Sequence, residues 1–226
     1  MTVSIDGKVT GDFLSSPNCV NAIERYYQIN RDFSADGFAC GRITMEGSFT
    51  GGWYPDLSSF GGNTIDRTDY IALPNEKYFA VAFDRRGRLG WKSSHIIDDD
   101  PGYGGAHIIE VLCEDVSDSY LAYLRSIKVS YIFAGRNQMD LSLALNKLHR
   151  LFGINKLLLE GGSIINGAFQ REDVIDELSL VMAPITAQPQ DKPLFDGGEL
   201  KSFELIEAVP GKDGSVWLRY KRSAEQ

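Results

Sequence analysis

Cysteine and histidine are both scarce in this chain. Cys19, Cys40 and Cys113 lie far apart, are odd in number and form no C-x-x-C pair. This argues against a disulfide framework and a zinc knuckle, and suits a reducing compartment. His95, His107 and His149 are as scattered, with no H-x-x-x-H spacing, so no resident metal is expected. Basic residues are the minority: 23 Lys and Arg stand against 31 Asp and Glu, a net charge of −8. That balance speaks against nucleic acid or an anionic membrane as partner. No apolar run is long enough to span a bilayer and no signal peptide opens the chain, so a cytoplasmic location is expected. Repeats and low-complexity tracts are also missing, which leaves one domain over 1–226 as the simplest organisation.

What is present is an alternation of short β-type runs with helical stretches, the pattern of a layered α/β sheet. Ser16-Pro17 reads as a cap followed by proline at the first helical position, which predicts a helix through Asn18 to about Phe33. Gly37–Gly41, Tyr78–Asp84, Ile108–Glu114, Val129–Ala134, Lys156–Glu160 and Leu178–Ala183 read as strands. Arg42–Phe49 reads as a helix or turn, and Ser117–Ser126 as a helix capped by Ser117. Leu141, Leu145, Leu148 and Phe152 recur at helical spacing before the stop at Gly153. Gly161-Gly162 opens a helix through Phe169, and 203–208 with 215–221 form a hairpin. Only Thr2–Ile5 stand before the Asp6-Gly7 turn, so the first strand is short. Gly51–Lys77 has little periodicity but four aromatics, Trp53, Tyr54, Phe60 and Tyr70, and is expected to be mobile without ligand and partly ordered with it, its aromatics covering the active site or a dimer partner.

Three segments could hold an anion. Glu160-Gly161-Gly162-Ser163 follows a buried strand and opens a helix. Glycines there let backbone N–H groups approach a phosphate, with an ordinary tight turn as the rival reading of this signal alone. Gly41-Arg42-Ile43-Thr44 offers another turn, a guanidinium and a hydroxyl, although taken alone a solvated arginine is the commoner case. Asp84-Arg85-Arg86-Gly87-Arg88 is the densest basic cluster in an acidic chain, with a plain basic turn as its rival. All three follow strands, so a parallel sheet would open them on one edge. Two glycine-bearing turns and a basic cluster suit a molecule with a pyrophosphate and a further phosphate, which is NADPH.

The run Glu160-Gly161-Gly162-Ser163-Ile164-Ile165-Asn166-Gly167-Ala168-Phe169 resembles a signature of the riboflavin-biosynthesis reductases. Val174-x-Asp176-Glu177-Leu178-Ser179-Leu180-Val181-x-Ala183-Pro184 and Pro193-Leu194-Phe195 continue the likeness. The opening Val3–Val9 resembles the family's S-L-D-G-K, and Gly41-Arg42-x-Thr44 resembles the G-R-x-T step of dihydrofolate reductase. The resemblance implies a dihydrofolate-reductase-like α/β/α fold of three layers. Its central sheet would be mostly parallel, with antiparallel C-terminal strands.

It also implies an NADPH-dependent homodimer that reduces the ribose of 5-amino-6-(5-phosphoribosylamino)uracil. It places Gly161, Gly162 and Ser163 along the cofactor diphosphate and Gly41, Arg42 and Thr44 near its phosphates. Arg85 and Arg86 fall at the 2′-phosphate, and Asp6 and Glu160 beside the nicotinamide as catalytic candidates. Taken as local signals, Asp6 is an Asp-Gly turn former and Glu160 a helix N-terminal carboxylate. The chain lacks the family's deaminase half and its D-D-P segment after the glycine-rich second strand. A nucleotide-binding or regulatory protein without turnover, and a dihydrofolate reductase with Glu24 as its helix carboxylate, stand as alternatives.

Overall fold

The computed structural model describes residues 1–62 and 64–223. It divides into two compact units, one of Met1–Ser34 with Gly161–Gln226 and one of Ala35–Glu160.

The second unit is built on a five-stranded sheet. Its strands are β2 (Gly37–Gly41), β3 (Phe79–Phe83), β4 (His107–Leu112), β5 (Ser130–Phe133) and β6 (Leu157–Gly161), in the order β5-β4-β3-β2-β6. Strands β2 to β5 pair in parallel and in step, with Gly41 beside Phe83 and Phe83 beside Val111. The starts of β2 and β6 are tied together, since the Asn155 and Lys156 N–H groups both donate to the Asp36 carboxylate at 2.7 and 2.9 Å. These strands read as continuous apolar runs because both faces of a parallel sheet are covered. On one face Phe38, Cys40, Ala80, Ala82, Ile108, Leu112, Tyr131 and Phe133 form the main core with Tyr120, Leu121 and Leu124 of α3 (Asp118–Ser126). Helix α4 (Leu141–Phe152) starts on an Asp140 cap and stops at Gly153 with φ 71°, as its spacing predicts. Between β2 and β3 a short helix, α2 (Arg42–Met45), runs on into one π-type turn to Thr50.

Much of Gly51–Lys77, expected as a lid, is tied to the rest of the second unit. Its stretch from Arg67 to Tyr70 is held as structural cover. Arg67 donates to the carbonyls of Ile65, Glu114 and Val116 and pairs with Asp118. Asp69 accepts from the Phe133 N–H at 2.9 Å and pairs with Lys147. Tyr70 exchanges backbone hydrogen bonds with Tyr131. The physical reason is that β5 is an edge strand whose free N–H and C=O groups need partners. Asn63, inside this segment, lies outside the described residues.

The first unit holds a four-stranded mixed sheet of order β1-β7-β9-β8. Its strands are β1 (Thr2–Val3), β7 (Glu177–Met182), β8 (Phe203–Pro210) and β9 (Val216–Arg222). β1 and β7 are parallel, whereas β7–β9 and β8–β9 are antiparallel. Helix α1 (Val20–Asp32) buries Ala22 and Ile29 with Val181 and Ala183. Its start differs from the sequence reading. Ser16 closes a turn instead, its C=O accepting from Cys19 N–H at 2.8 Å, and the helix begins three residues later without a side-chain cap. Helix α5 (Ser163–Arg171) follows β6.

Candidate active site

In the second unit the carboxyl ends of β2 and β3 bring Gly41-Arg42 and Asp84-Arg85-Arg86 to one sheet edge, as parallel register requires. Asp84 is buried, and burial raises its pKa against the lowering pull of the Arg88 and Leu89 N–H groups and the Arg42 charge. Arg42 also pairs with Glu46 at 2.7 Å. Thr44 is half-buried on α2. Arg85 is half-buried and Arg86 and Arg88 are exposed. No ion pair among the described residues involves any of these three guanidinium groups. Three uncommitted cations on one loop of an acidic chain are a ready receptor for an anion.

Glu160 lies at the end of β6 and accepts a hydrogen bond from the Tyr103 hydroxyl at 2.7 Å. Burial first, then the Glu160 charge, holds the Cys40 thiol well above its ordinary value. Burial first, with Glu160 and Asp100 adding to it, moves the Tyr78 hydroxyl up to about 12. Cys40 is thereby a neutral, inert thiol rather than a nucleophile. Tyr103 packs edge-on against Phe38 with ring centroids 5.0 Å apart, and the Tyr78 hydroxyl ties down the Tyr103 loop by donating to the Gly102 carbonyl at 2.6 Å.

The other four predicted residues, Asp6, Gly161, Gly162 and Ser163, lie in the first unit, where Ser163 and Gly7, the neighbour of Asp6, both touch the segment 192–196. Asp6 is exposed. Its carboxylate accepts from the Ser4 hydroxyl at 2.7 Å and the Ala187 N–H at 3.0 Å, and these bonds hold its pKa below the usual range, the hydroxyl first. The Gly7 carbonyl accepts from Leu194 N–H at 3.0 Å. Ser163 is buried and donates its hydroxyl to the Pro193 carbonyl, so its side chain is committed to this segment. Gly161 sits at φ 103°, where a side chain is strained, and Gly162 caps α5 from extended backbone at φ −72° and ψ −170°. The peptide between them is cis.

Sequence reasoning missed Tyr103 and the buried acid Glu110, and gave Asp84 no role of its own within the basic cluster. Glu110 stands alone in the apolar run Ile108–Leu112, and a single charge inside a buried strand was the available signal. Its carboxyl accepts from the Trp91 indole N–H and lies 3.3 Å from the Tyr120 hydroxyl, while Oε2 has no hydrogen-bond partner among the described residues. Burial, with Asp84 adding to it, pushes the Glu110 pKa well up. Among the described residues no cluster of His, Cys, Asp or Glu is set to hold a metal, and no helix is long and apolar enough to cross a membrane.

A parallel sheet with uncommitted cations at its carboxyl edge defines an α/β protein of the class that binds ligands at strand ends. A family profile described as the RibD C-terminal domain matches residues 1–216, and the chain belongs to that family. The chain is 30% identical over 147 residues to the 2,5-diamino-6-ribosylamino-4(3H)-pyrimidinone 5′-phosphate reductase of Methanothermobacter thermautotrophicus. That match covers 65% of this chain and 62% of that relative. The fold is similar to a pyrimidine reductase-like protein of Corynebacterium diphtheriae, with a TM-score of 0.67 at 19% identity over 99% of this chain and 90% of that one. It is also similar to the riboflavin biosynthesis reductase of Saccharomyces cerevisiae, with a TM-score of 0.62 at 12% identity over 98% and 87%.

Proposed function

We propose that the chain is an NADPH-dependent reductase of a ribosylaminopyrimidine 5′-phosphate in riboflavin biosynthesis, cytoplasmic and acting as one domain over both units. The substrate is 5-amino-6-(5-phosphoribosylamino)uracil or its diaminopyrimidinone counterpart. The observation that carries the reading is the uncommitted basic loop at the sheet's carboxyl edge, in a chain whose curated relative is named for this reduction. Bound NADPH supplies the hydride, and the protein supplies position and electrostatics. Arg85 and Arg86 hold the 2′-phosphate. Within the second unit Gly41, Arg42 and Thr44 are phosphate ligands, and within the first the backbone at Gly161, Gly162 and Ser163 is a diphosphate ligand. The Ser163 hydroxyl has no share in this, being spent on Pro193.

The two carboxylates divide the remaining work. Asp6 is held ionised by its two donors and orients a hydroxyl of the sugar, because an acceptor that favours its charged form is a poor proton donor. Glu160, half-buried and steadied by Tyr103, is the group placed to pass a proton. Glu24 is exposed and engaged with Arg31 at 3.5 Å, which disfavours the reading as a dihydrofolate reductase with a pterin-gripping helix carboxylate.

Replacing Arg85 and Arg86 together by alanine should weaken NADPH by about tenfold to a hundredfold, the range for losing charge-assisted phosphate bonds, and leave NADH nearly unchanged. Equal losses for both cofactors would reject the cluster as a 2′-phosphate site. Turnover of the substrate with NADPH separates the enzyme from a binding protein of the same fold.

The active form proposed is a homodimer. The edge strand β8 exposes Leu205 by 56% and Ile206 by 44%, an apolar edge that a second copy would cover. Sedimentation at micromolar concentration should give a dimer. An active monomer of 25.1 kDa would reject it.

A further inference from the structure

The loop from Arg85 to Trp91 belongs to no helix or strand, yet many of its backbone groups have partners. Since unpaired backbone groups are costly when buried, the source of those partners shows what fixes the loop. The Arg88 and Leu89 N–H groups both donate to Oδ2 of Asp84, the second at 2.8 Å. Gly87 N–H donates to the Asp84 carbonyl at 3.1 Å. The Gly87 carbonyl accepts from the Tyr54 hydroxyl at 2.9 Å, and the Leu89 carbonyl from the Tyr120 hydroxyl at 2.7 Å. The Trp91 carbonyl accepts from the Tyr123 hydroxyl, and the Trp91 indole donates to Glu110. Gly87 adopts φ 64°, and a Cβ there would lie 2.4 Å from the Tyr120 ring. Side chains rather than secondary structure therefore set the shape of the segment that carries three arginines.

We infer that Asp84 is a positioning residue for cofactor selection: by gathering the Arg88 and Leu89 N–H groups it folds the loop that presents Arg85 and Arg86 to the 2′-phosphate of NADPH. This rests on the reading of that loop as the 2′-phosphate site. It runs against simple electrostatics, because Asp84 is an acid beside a site for an anion. Charge alone predicts that removing Asp84 strengthens phosphate binding. Geometry predicts the reverse, because a long flexible arginine binds a phosphate well only when its backbone is held in place beforehand.

Two substitutions separate the effects. Asp84→Asn removes the charge but keeps an amide oxygen that can accept both N–H groups. Asp84→Ala removes charge and acceptor together. Dissociation constants for NADPH and NADH, measured by nicotinamide fluorescence on the full chain, should show Asp84→Ala weaker for NADPH by about tenfold with NADH within about twofold. Asp84→Asn should bind NADPH as tightly as the parent or more tightly. If Asp84→Ala does not fold, Tyr54→Phe replaces it, since this removes only the donor to the Gly87 carbonyl from a side chain 44% exposed. It should cost about threefold in NADPH alone, the order of one neutral hydrogen bond.

Equal or tighter NADPH binding by Asp84→Ala, or an unchanged NADPH-to-NADH ratio in Tyr54→Phe where that variant stands in, overturns the inference. The Arg85→Ala, Arg86→Ala double variant measured alongside keeps the two ideas apart. A selective NADPH loss there, with none in the Asp84→Ala or stand-in variant, rejects the positioning role alone. No selective loss there rejects the 2′-phosphate site and the positioning role with it.

Discussion

Gly162→Val should abolish NADPH binding, by at least about a hundredfold, while the protein stays folded. Gly162 caps α5 at φ −72° and ψ −170°, a φ and ψ pair in the extended region open to any residue. A side chain there stands where the diphosphate would meet the first backbone N–H groups of the helix, and displacing that approach removes several hydrogen bonds at once. Gly161→Val is the poorer test. At φ 103° a branched side chain is strained with or without ligand, and its Cβ would already lie 3.1 Å from Met1 Cε. Loss of binding in that variant therefore mixes folding with recognition. Isothermal titration with NADPH, beside a thermal melt of each variant, reads the two effects separately. Parent-like binding by a folded Gly162→Val would place the diphosphate elsewhere.

The second large effect is on stability against pH, and it comes from two buried groups of the second unit with opposite signs. His107 is fully buried. Its Nδ1–H donates to the Ser94 carbonyl at 3.0 Å, and Nε2 lies 2.8 Å from the Ser130 hydroxyl, an arrangement that satisfies the neutral ring. Burial first, then His95 5.3 Å away between ring centroids, brings its pKa down from 6.5 to about 4. Its contribution is complete above pH 6.5 and is lost as pH falls toward 4, which amounts to about 3 kcal/mol. Glu110 behaves in the reverse way. Its pKa is raised, so its contribution is complete below its ordinary value of 4.5 and is lost as pH rises above it, at about 1.4 kcal/mol per pH unit while the carboxyl stays protonated.

Between pH 4.5 and 6.5 the two slopes oppose each other, and single substitutions expose them. Glu110→Gln should gain stability relative to the parent steadily as pH rises from 4.5. His107→Asn should be less stable than the parent at pH 7 and recover relative to it as pH falls toward 4. Urea unfolding at half-unit steps from pH 4 to 8 gives both differences. Parallel curves for parent and variant would mean that the substituted group titrates in the fold as it does in the unfolded chain.

How far the sequence carries depends on the range of the interaction. The elements were legible because apolar period and cap chemistry act over a few residues. The helix from Leu141 to Gly153, the Ser117 cap and the apolar runs that became strands all follow from that. So does the placing of Gly41-Arg42 and Asp84–Arg86 on one edge, because parallel register fixes where strand ends fall. Even so, local signals misled at Ser16-Pro17, where the same residues that begin a helix also close a turn.

What the tertiary structure decided involves partners distant in sequence. Gly51–Lys77 has no period of its own, so nothing local could show that Tyr70 would pair with Tyr131, or Asp69 with Lys147, to cover an edge strand. The commitment of the Ser163 hydroxyl to Pro193 needs a contact thirty residues away. Asp84 read as one more charge beside three arginines. Only the fold turned its carboxylate back onto the N–H groups of Arg88 and Leu89, and only the fold brought Tyr120, Tyr123 and Glu110 beneath the same loop. Composition and period thus determined the layers and the edge where chemistry would gather. Long-range hydrogen bonding, which no local pattern encodes, decided which polar groups were left free to meet a ligand.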